Sequence, residues 1–278
     1  MTHDALRDAV ERIAADGAPD RDEARRVVAA LLDALESGAV RAATPSAEGW
    51  VVHPWVKRGL LLAFRHGADV PSHLPPFHFR DRDTLPARDP VSASAGVRVV
   101  PGGTTIRRGA HLAAGVVVMP PAFVNVGAFV GPSTMIDSHA LVGSCAQIGA
   151  RVHVSAAVQI GGVLEPPGAM PVVVEDDAFL GAGSGLFEGA RVGRGAVLAP
   201  GVVLTRAVPL LDVVNERTIV ADPSGILAVP ERAVVVPGSR PAGGAWAASR
   251  GLALYAPVIV KYRDAATDAA SALESALR

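Results

Sequence analysis

Two side chains in the middle of the chain, Asp137 and His139, have the types and the spacing needed to handle a proton. Asp137 directly follows an aliphatic residue that we expect to point inward, so its carboxylate should point outward, with the imidazole in the same turn. A carboxylate beside an imidazole can bind an amine and accept its proton. Alternatively, Asp137 accepts a hydrogen bond from a corner backbone N–H and His139 is a surface residue. The spacing alone favours this second interpretation.

Other motifs that carry chemistry are absent from the sequence. There is no glycine-rich phosphate loop between a strand and a helix, and neither an HExxH nor a GxSxG motif occurs. The eight histidines are scattered, so a metal site could form only across subunits, and we predict none. The single cysteine, Cys145, permits no disulfide within the chain and has no adjacent base. We predict that it is a small buried apolar residue rather than a nucleophile.

The composition argues against several classes of partner. Lys and Arg total 26 against 27 Asp and Glu, so no net field favours nucleic acid or an anionic membrane. Residues 112–136 carry no charge, but repeated glycines and prolines would break a membrane-spanning helix there. The N-terminus has no apolar leader segment, and one cysteine fits a reducing compartment. We therefore expect a cytoplasmic protein that binds neither nucleic acid nor membrane.

The elements that must position these side chains follow a period of six residues. From Ile106 to Ile160 every sixth residue is Ile, Leu or Val, ten times in succession. Chance would produce such a run on the order of once in a million. The fifth position of each hexad is mostly small, and the second is often Gly, Asn, Asp or Ser. After an interruption the frame resumes at Val174, Leu180, Leu186, Val192, Leu198 and Leu204, with two last turns at Val229 and Val235.

A six-residue period with one aliphatic and one small inward residue is typical of a three-sided parallel β-helix, in which three hexads form one coil. The aliphatic residues stack on their equivalents above and below, and the small residue leaves room at the corner. Gly or Asn at the second position is predicted to relieve strain there. Aromatic rings would not fit so narrow a prism, which explains a chain that is 50% hydrophobic but only 4% aromatic.

The sequence divides into three predicted parts. Residues 1–96 form a helical N-terminal domain and linker, and residues 97–238 form the β-helix. Loops at 161–173 and 205–228 interrupt the β-helix and are candidate functional segments. Residues 239–278 supply C-terminal strands and a helix. Within the outer parts, the patterns predict helices at 4–16, 21–37, 54–64 and 264–278, a strand at 49–52, a linker at 66–96, and a strand pair or extended arm at 252–261.

This architecture by itself is compatible with several functions. It could support acyl transfer to amines or hydroxyls, carbonic anhydrase activity, or an inert scaffold. A carbonic anhydrase would need three histidines that meet at a subunit interface, and the sequence contains no obvious set.

Specific motifs narrow these possibilities. Between Gly49 and Arg263 the chain contains Trp55 to Arg65 (WVKRGLLLAFR), Val97 to Pro101 (VRVVP), Val142 to Gly149 (VGSCAQIG), Ile160 to Pro166 (IGGVLEP) and Pro257 to Lys261 (PVIVK). With these motifs the chain resembles the tetrahydrodipicolinate N-succinyltransferase family of bacterial lysine and diaminopimelate biosynthesis. The motifs distinguish this family from other hexapeptide acyltransferases.

The resemblance implies a fold, an assembly and a reaction. The fold is a left-handed parallel β-helix, and the assembly is a homotrimer with active sites between neighbouring subunits. The donor is an acyl-CoA, usually succinyl-CoA, and no metal is required. The amine of ring-opened tetrahydrodipicolinate attacks the thioester directly, without a covalent enzyme intermediate.

The resemblance also assigns roles to residues. Arg98 matches an arginine that binds an acceptor carboxylate, and Asp137 matches the aspartate that meets the acceptor amine. His139 and Ser144 are assigned to the acceptor site on the same basis. Gly161, Gly162 and Lys261 are assigned to the acyl-CoA. We expect backbone N–H groups of the Gly161–Gly162 turn to donate to the thioester oxygen.

The chain departs from the common family pattern at three places. His139 stands where many members have Trp, and Gly185 stands where they have a carboxylate of the acceptor site. Glu188 matches another family glutamate and is predicted to take over the catalytic role of that carboxylate. The insertion at 205–228 differs in length and sequence, which indicates a divergent branch. The donor is therefore left as succinyl-CoA or acetyl-CoA, and acylation of another amino acid or a non-catalytic trimeric scaffold are the alternatives.

Overall fold

The computed structural model of the protein describes residues 2–74, 77–88 and 96–264. Residues 2–66 contain three helices and one hairpin, which are α1 (His3–Ala15), α2 (Arg21–Glu36), β1 (Ala43–Ser46), β2 (Gly49–Val52) and α3 (Pro54–His66). Thr2 and Asp20 cap α1 and α2 through their side chains, and Pro54 opens α3. The three helices bury their apolar faces in one core. The helices and the strand predicted here are confirmed, with ends shifted by at most two residues.

The stretch predicted as a linker, residues 66–96, contains a β-hairpin instead. Strands β3 (Asp69–Leu74) and β4 (Phe77–Arg82) pair antiparallel, with His73 opposite His78. Most of the described side chains of this hairpin are exposed, so no buried face imposes an alternating pattern on its sequence. The linker prediction is therefore wrong for residues 69–74 and 77–82.

From residue 98 the chain winds into a three-sided parallel β-helix whose strands are two or three residues long, except the last one, which has nine. Each strand pairs with the strand one coil away, as Phe129 pairs with Gln147 eighteen residues on. The predicted hexapeptide-repeat fold is confirmed. We number the faces in chain order and name each corner by the two faces that it joins: the 3/1, 1/2 and 2/3 corners.

The three faces contain the following strands. Face 1 consists of β6 (Thr105–Ile106), β9 (Phe123–Val124), β12 (Leu141–Val142), β15 (Gln159–Ile160), β18 (Gly185–Leu186) and β21 (Val203–Leu204). Face 2 consists of β7 (His111–Leu112), β10 (Phe129–Val130), β13 (Gln147–Ile148), β16 (Val173–Val174), β19 (Ala190–Val192) and β24 (Leu227–Val229). Face 3 consists of β5 (Arg98–Val99), β8 (Val117–Val118), β11 (Met135–Ile136), β14 (His153–Val154), β17 (Phe179–Leu180), β20 (Val197–Leu198) and β25 (Ala233–Pro241).

The interior of the prism is a column of stacked aliphatic residues. All ten from Ile106 to Ile160 are at most 3% exposed, and the residues of the resumed frame are equally buried. The small residues at the fifth positions are buried beside them. Full burial of one such aliphatic side chain contributes roughly 1.5 to 3 kcal/mol. The column is therefore the main source of the stability of this part.

The residues that adopt the strained backbone conformation at the corners are not the ones predicted. The left-handed backbone lies three residues after the inward aliphatic, with φ of 58° at Ser133, 62° at His139 and 64° at Cys145. Gly143, at a second position, lies outside the left-handed region. A Cβ on Gly143 would instead collide with the amide nitrogen of Gly162 in the next coil. Glycine at the second position therefore permits close approach of adjacent coils, rather than relief of strain.

Two segments interrupt the coils near the predicted places. The first is a loop that ends where β16 begins at Val173. The second contains a hairpin of β22 (Leu210–Asp212) and β23 (Arg217–Ile219), and β24 already begins at Leu227. Beyond the last coil, β25 pairs antiparallel with β26 (Ala253–Tyr262), with the short helix α4 (Ala245–Ser249) between them. The helix predicted at 264–278 lies outside the described residues from position 265 onward.

A buried carboxylate, Asp212, joins the inserted hairpin to β26. It accepts hydrogen bonds from Asn215 Nδ2, Arg217 Nε and the Tyr262 hydroxyl, each at 2.9 Å. Burial alone would raise the pKa of Asp212, but these hydrogen bonds outweigh it and lower the pKa from 3.8 to about 2. The ionised carboxylate therefore stabilises the fold above about pH 4, and this stabilisation is lost as the pH falls toward 2.

Replacing Asp212 with Asn is expected to lower the free energy of unfolding by about 1 to 3 kcal/mol at pH 7, because its donors lose a charged acceptor. The difference from the native protein should shrink between pH 4 and pH 2, since acid removes the same charge from the native protein. Urea unfolding at each pH measures the difference. Glu216→Gln, on the exposed turn of the same hairpin, is the control. A difference that does not change with pH would contradict the prediction.

Replacing Gly143 with Ala is expected to destabilise the fold by about 3 kcal/mol, because the new Cβ meets backbone atoms that cannot move independently. The matched control is Gly201→Ala, where φ is 76° and no atom lies within 4 Å of the new Cβ. There we expect only the cost of a left-handed alanine, about 1 kcal/mol. Urea unfolding of both variants measures the two effects, and equal losses would refute close approach as the reason for Gly143.

Candidate functional site

The 3/1 corner carries Asp137 and His139 on its outer side. Asp137 follows β11, and its Oδ1 accepts a hydrogen bond from the Ser138 N–H at 2.7 Å. Its Oδ2 has no partner among the described residues. His139 is exposed and occupies the left-handed position of the turn. The backbone hydrogen bond of the second interpretation is thus present, and it leaves one carboxylate oxygen of Asp137 for a ligand.

Arg98 lies on the face that leads into this corner. It is in register with Val117 on β8, which is in register with Met135 on β11, two residues before Asp137. Two strand spacings separate the backbones of Arg98 and Met135, or about 10 Å. Arg98 is exposed. Arg98 and Asp137 therefore belong to the same edge, with their backbones roughly two strand spacings apart.

Three further elements of the predicted site stack on the 1/2 corner in successive coils: Ser144, the Gly161–Gly162 turn and Glu188. The Val163 N–H donates to the carbonyl oxygen of Ser144 at 3.1 Å, so the turn lies directly against the serine. Ser144 is only 7% exposed. Glu188 is exposed, and its carboxylate accepts a hydrogen bond from Arg206 Nη1 at 3.2 Å.

The structure corrects the prediction for the N–H groups of the Gly161–Gly162 turn. The Gly161 N–H donates to the carbonyl oxygen of Leu186 at 2.7 Å as part of the strand ladder, so it cannot also bind a thioester oxygen. Gly162 is exposed, and within the described ranges its N–H has no acceptor. A Cβ on Gly162 would lie 2.7 Å from the amide nitrogen of Ser144. One free donor, the Gly162 N–H, therefore remains at this turn.

The ring of Phe187 covers the place where a side chain of residue 185 would lie. A Cβ on Gly185 would be 2.8 Å from Phe187 Cε2, and a Cβ on Gly161 would be 3.3 Å from Phe187 Cδ1. The ring remains 42% exposed. The absence of a side chain at Gly185 and the presence of Phe187 are thus coupled, and the surface beside the turn is apolar.

Helix α3 supplies a residue that the sequence analysis does not single out. Lys57 is fully buried, and its Nζ donates to the carbonyl oxygen of Ala169 at 2.6 Å. Burial lowers the pKa of Lys57, while Cys145 and Glu188 raise it, so its ammonium lies near the 1/2 corner. In the sequence, the only indication of this burial is that Lys57 lies next to Val56, on the apolar side of a predicted helix.

Within one chain, the predicted site residues form two groups at opposite edges of face 1. Asp137, His139 and Arg98 belong to the 3/1 edge, whereas Ser144, Gly161, Gly162 and Glu188 belong to the 1/2 edge. Lys261 belongs to neither group. It is exposed on β26 opposite Val234 of face 3, with its Nζ 3.4 Å from Asp264 Oδ2. The structure thus brings together members of each group but not the two groups.

A cleft of about 500 Å³ lies elsewhere, between the β1–β2 hairpin and the 2/3 corner. Arg41 lies over the ring of Phe129, at 3.6 Å from its centroid, and burial lowers the pKa of Arg41 to about 10. Glu175 accepts hydrogen bonds from Trp50 Nε1 at 3.0 Å and from Arg191 at 2.6 Å. None of the predicted site residues lines this cleft. Its polar groups join the N-terminal part to the β-helix.

Within the described ranges 2–74, 77–88 and 96–264, no three His, Cys, Asp or Glu side chains are grouped as ligands for a metal ion. No helix in these ranges combines the length and the apolar character needed to cross a bilayer. The absence of a metal requirement stays a prediction.

Comparison with known families gives two matches. Residues 3–66 match the family described as tetrahydrodipicolinate N-succinyltransferase N-terminal. Residues 93–120 and 171–206 match the hexapeptide repeat of succinyl-transferase. The matches fall on both the helical part and the β-helix.

Individual relatives align over nearly the whole chain. A 2,3,4,5-tetrahydropyridine-2,6-dicarboxylate N-succinyltransferase of Rhodospirillum rubrum is 41% identical over 263 residues, which cover 93% of this chain and 90% of that protein. The protein of the same name from Parvibaculum lavamentivorans is 38% identical, covering 94% of this chain and 92% of its own. Among solved structures, a hexapeptide-repeat acetyltransferase of Vibrio cholerae in complex with acetyl coenzyme A is 18% identical with a TM-score of 0.32, covering 54% of this chain and 72% of that chain.

The thiol of Cys145 is expected to be inert in the folded protein. It is fully buried on the 1/2 corner, and burial raises its pKa to about 12 although Lys57 lowers it. At pH 8 almost no thiolate exists to react. A colorimetric disulfide reagent should therefore label no thiol in the native protein. In about 6 M urea, which unfolds the protein, it should label one thiol per chain. Complete labelling of the native protein within minutes would contradict the burial of Cys145.

Proposed function

Because this chain belongs to the tetrahydrodipicolinate N-succinyltransferase family, we propose that it transfers the succinyl group of succinyl-CoA to the amine of ring-opened tetrahydrodipicolinate, in lysine and diaminopimelate biosynthesis. The observation that carries the proposal is the alignment of more than nine-tenths of the chain with enzymes of that name. We expect the reaction in the cytoplasm, with acyl-CoA as the co-substrate and without a metal.

We assign Asp137 to the amine. The neutral nitrogen attacks the carbonyl carbon of the thioester, and it must lose a proton as the new N–C bond forms. Asp137 Oδ2 can accept this proton while Oδ1 stays bound to the Ser138 N–H. Arg98 is assigned to an acceptor carboxylate, since a guanidinium can bind one through two parallel hydrogen bonds. His139 is assigned to the acceptor on the exposed side of the same corner.

We assign the Gly162 N–H to the thioester oxygen. This oxygen gains negative charge when the amine attacks, and a fixed N–H donor stabilises that charge more than it stabilises the uncharged carbonyl. The intermediate collapses by breaking the C–S bond, and the CoA thiolate leaves and takes up a proton. Glu188 is assigned as a second catalytic carboxylate, Ser144 to the acceptor, and Gly161 and Lys261 to the CoA moiety.

The separation of the two groups of residues supports a site shared between two copies of the chain. A homotrimer can bring the 3/1 corner of one subunit beside the 1/2 corner of the next, so that each of three sites contains both groups. Face 1 lies between these corners. Its outward residues Phe123 and Leu141 are only half-buried in the single chain, which fits a surface that another copy covers.

The exposed ring of Phe187 favours a second candidate for the acceptor. An aromatic ring gives no charged partner to a carboxylate, whereas it can pack against an apolar side chain. Since this ring lies beside the Gly161–Gly162 turn, the alternative acceptor is an amino acid that is apolar at that point. In this alternative the donor is succinyl-CoA or acetyl-CoA.

Release of the CoA thiol, followed with each donor and each acceptor in turn, tests the proposal. We expect the highest kcat/KM with succinyl-CoA and tetrahydrodipicolinate or its analogue 2-aminopimelate. A higher kcat/KM with an apolar monocarboxylic amino acid would favour the alternative acceptor. Absence of acyl-CoA binding by calorimetry would refute both and leave a non-catalytic scaffold.

Replacing Asp137 with Asn is expected to lower kcat/KM by about 100-fold or more, because the amide cannot accept the proton of the amine. Asp177→Asn is the matched control, since it makes the same change at the 2/3 corner, where Asp177 pairs with Arg151. Steady-state kinetics and gel filtration should show an intact oligomer for both variants and a large loss for Asp137→Asn alone. Turnover of Asp137→Asn equal to that of the control would refute the role of Asp137.

A further inference from the structure

The buried ammonium of Lys57 has one hydrogen-bond partner in the part of the chain that the structure describes. The side chain leaves α3 between the buried residues Val56 and Leu60, and it is 0% exposed. Its Nζ donates to the carbonyl oxygen of Ala169 at 2.6 Å, and none of the described carboxylates forms an ion pair with it. Burying a charge costs folding free energy, and an apolar side chain of similar size would fill the same space without this cost. The charge therefore indicates a role beyond packing.

The partner, Ala169, belongs to the loop of residues 161–172, which starts with the Gly161–Gly162 turn. The first part of this loop is well anchored, since the Val163 N–H donates to Ser144 and Leu164 packs against the N-terminal core. The distal part, residues 165–171, has an internal hydrogen bond from the Ala169 N–H to the carbonyl oxygen of Pro166 at 2.9 Å. Among the described residues, Lys57 alone connects this distal part to the rest of the chain by a hydrogen bond.

Electrostatics also connect Lys57 with the 1/2 corner. Burial lowers the pKa of Lys57, whereas interactions with Cys145 and Glu188 raise it. Cys145 is uncharged at neutral pH because its own pKa is raised to about 12. The effect of burial is larger than the interaction with Glu188, so the pKa of Lys57 is lowered overall. Lys57, the loop and Glu188 lie in one neighbourhood.

We propose that Lys57 is a positioning residue, which holds the distal part of the loop through Ala169 and thereby keeps it in place beside the Gly162 N–H for the acyl donor. A charge-assisted hydrogen bond is stronger than a neutral one, so it can hold a segment that makes no other described hydrogen bond to the rest of the chain. Lys57 is inaccessible and does not touch the substrate. The identity of the ligand rests on the proposed function, whereas the connection between helix α3 and the loop does not.

The test compares three variants. Lys57→Met removes the ammonium but keeps the length of the side chain and leaves no uncompensated charge in the core. Arg58→Met is the matched control, because it removes a positive charge from the next position of α3, where Arg58 pairs with Glu11 at the surface. Lys57→Gln keeps a neutral hydrogen-bond donor, and it replaces Lys57→Met in the comparison if that variant does not fold. Amide hydrogen exchange of the loop and steady-state kinetics are measured for each variant.

In Lys57→Met we expect amide exchange at the non-proline residues of the distal part, 165–171, to become about tenfold faster, with no change in the coils. We expect KM for succinyl-CoA to rise about fivefold or more, with a smaller change in kcat, and Lys57→Gln to fall between Lys57→Met and the native protein. Arg58→Met should match the native protein in both measurements.

Three results would overturn the inference: native exchange rates in the loop of Lys57→Met, equal effects in Arg58→Met, or faster exchange with unchanged kinetics. Hydrogen exchange is measured without substrate. A native protein that does not use succinyl-CoA would therefore refute the proposed function, while the exchange rates would still decide whether Lys57 holds the loop.

Discussion

Close stacking of successive coils is the constraint on which the rest of this molecule depends. Adjacent strands lie about 4.8 Å apart, so each inward aliphatic residue must contact its equivalents one coil above and below. The same spacing controls the corners. A Cβ on Gly149 would lie 2.5 Å from the nitrogen of Asp176, and a Cβ on Gly181 would lie 2.5 Å from the nitrogen of Pro200. At these positions glycine is required by the neighbouring backbone, and a residue such as His139 takes the left-handed conformation that turns the chain.

The corners therefore form vertical columns, and the columns have different surroundings. The 2/3 corner carries surface ion pairs, such as Arg151 with Asp177 at 2.6 Å. The 1/2 corner is packed against α3. Leu60 of this helix lies so close to Gly127 that an added Cβ there would be 2.9 Å from Leu60 Cδ1 and 3.0 Å from Cys145 Sγ. The 3/1 corner presents the carboxylate of Asp137. Side chains that leave the coil at a corner are held by a rigid column, which gives a reacting group a fixed position on a fold with very short strands.

The period of six could be read from the sequence because one physical cause, the stacked column, acts on every coil from Ile106 to Val235. Features that depend on single contacts could not be predicted in this way. The described side chains of β3 and β4 are mostly exposed, so no buried face among them marks these strands. The Gly161 N–H belongs to the strand ladder, which only the register of two coils reveals. Lys57 looks like any lysine of an amphipathic helix until the loop that it contacts is folded against it. The sequence therefore predicts which residues belong to the candidate site, but only the structure shows that they lie at two different edges of face 1.

We propose that one reaction site needs the 3/1 corner of one copy and the 1/2 corner of another. Subunit complementation tests this requirement most directly. Asp137→Asn and Glu188→Gln each disable one corner, and each variant alone should be nearly inactive. When the two are refolded together at equal amounts, random assembly leaves both corners native at about a quarter of the interfaces. We expect about a quarter of the native activity to return on mixing. Activity that stays at the level of the separate variants, with mixed oligomers present, would contradict it.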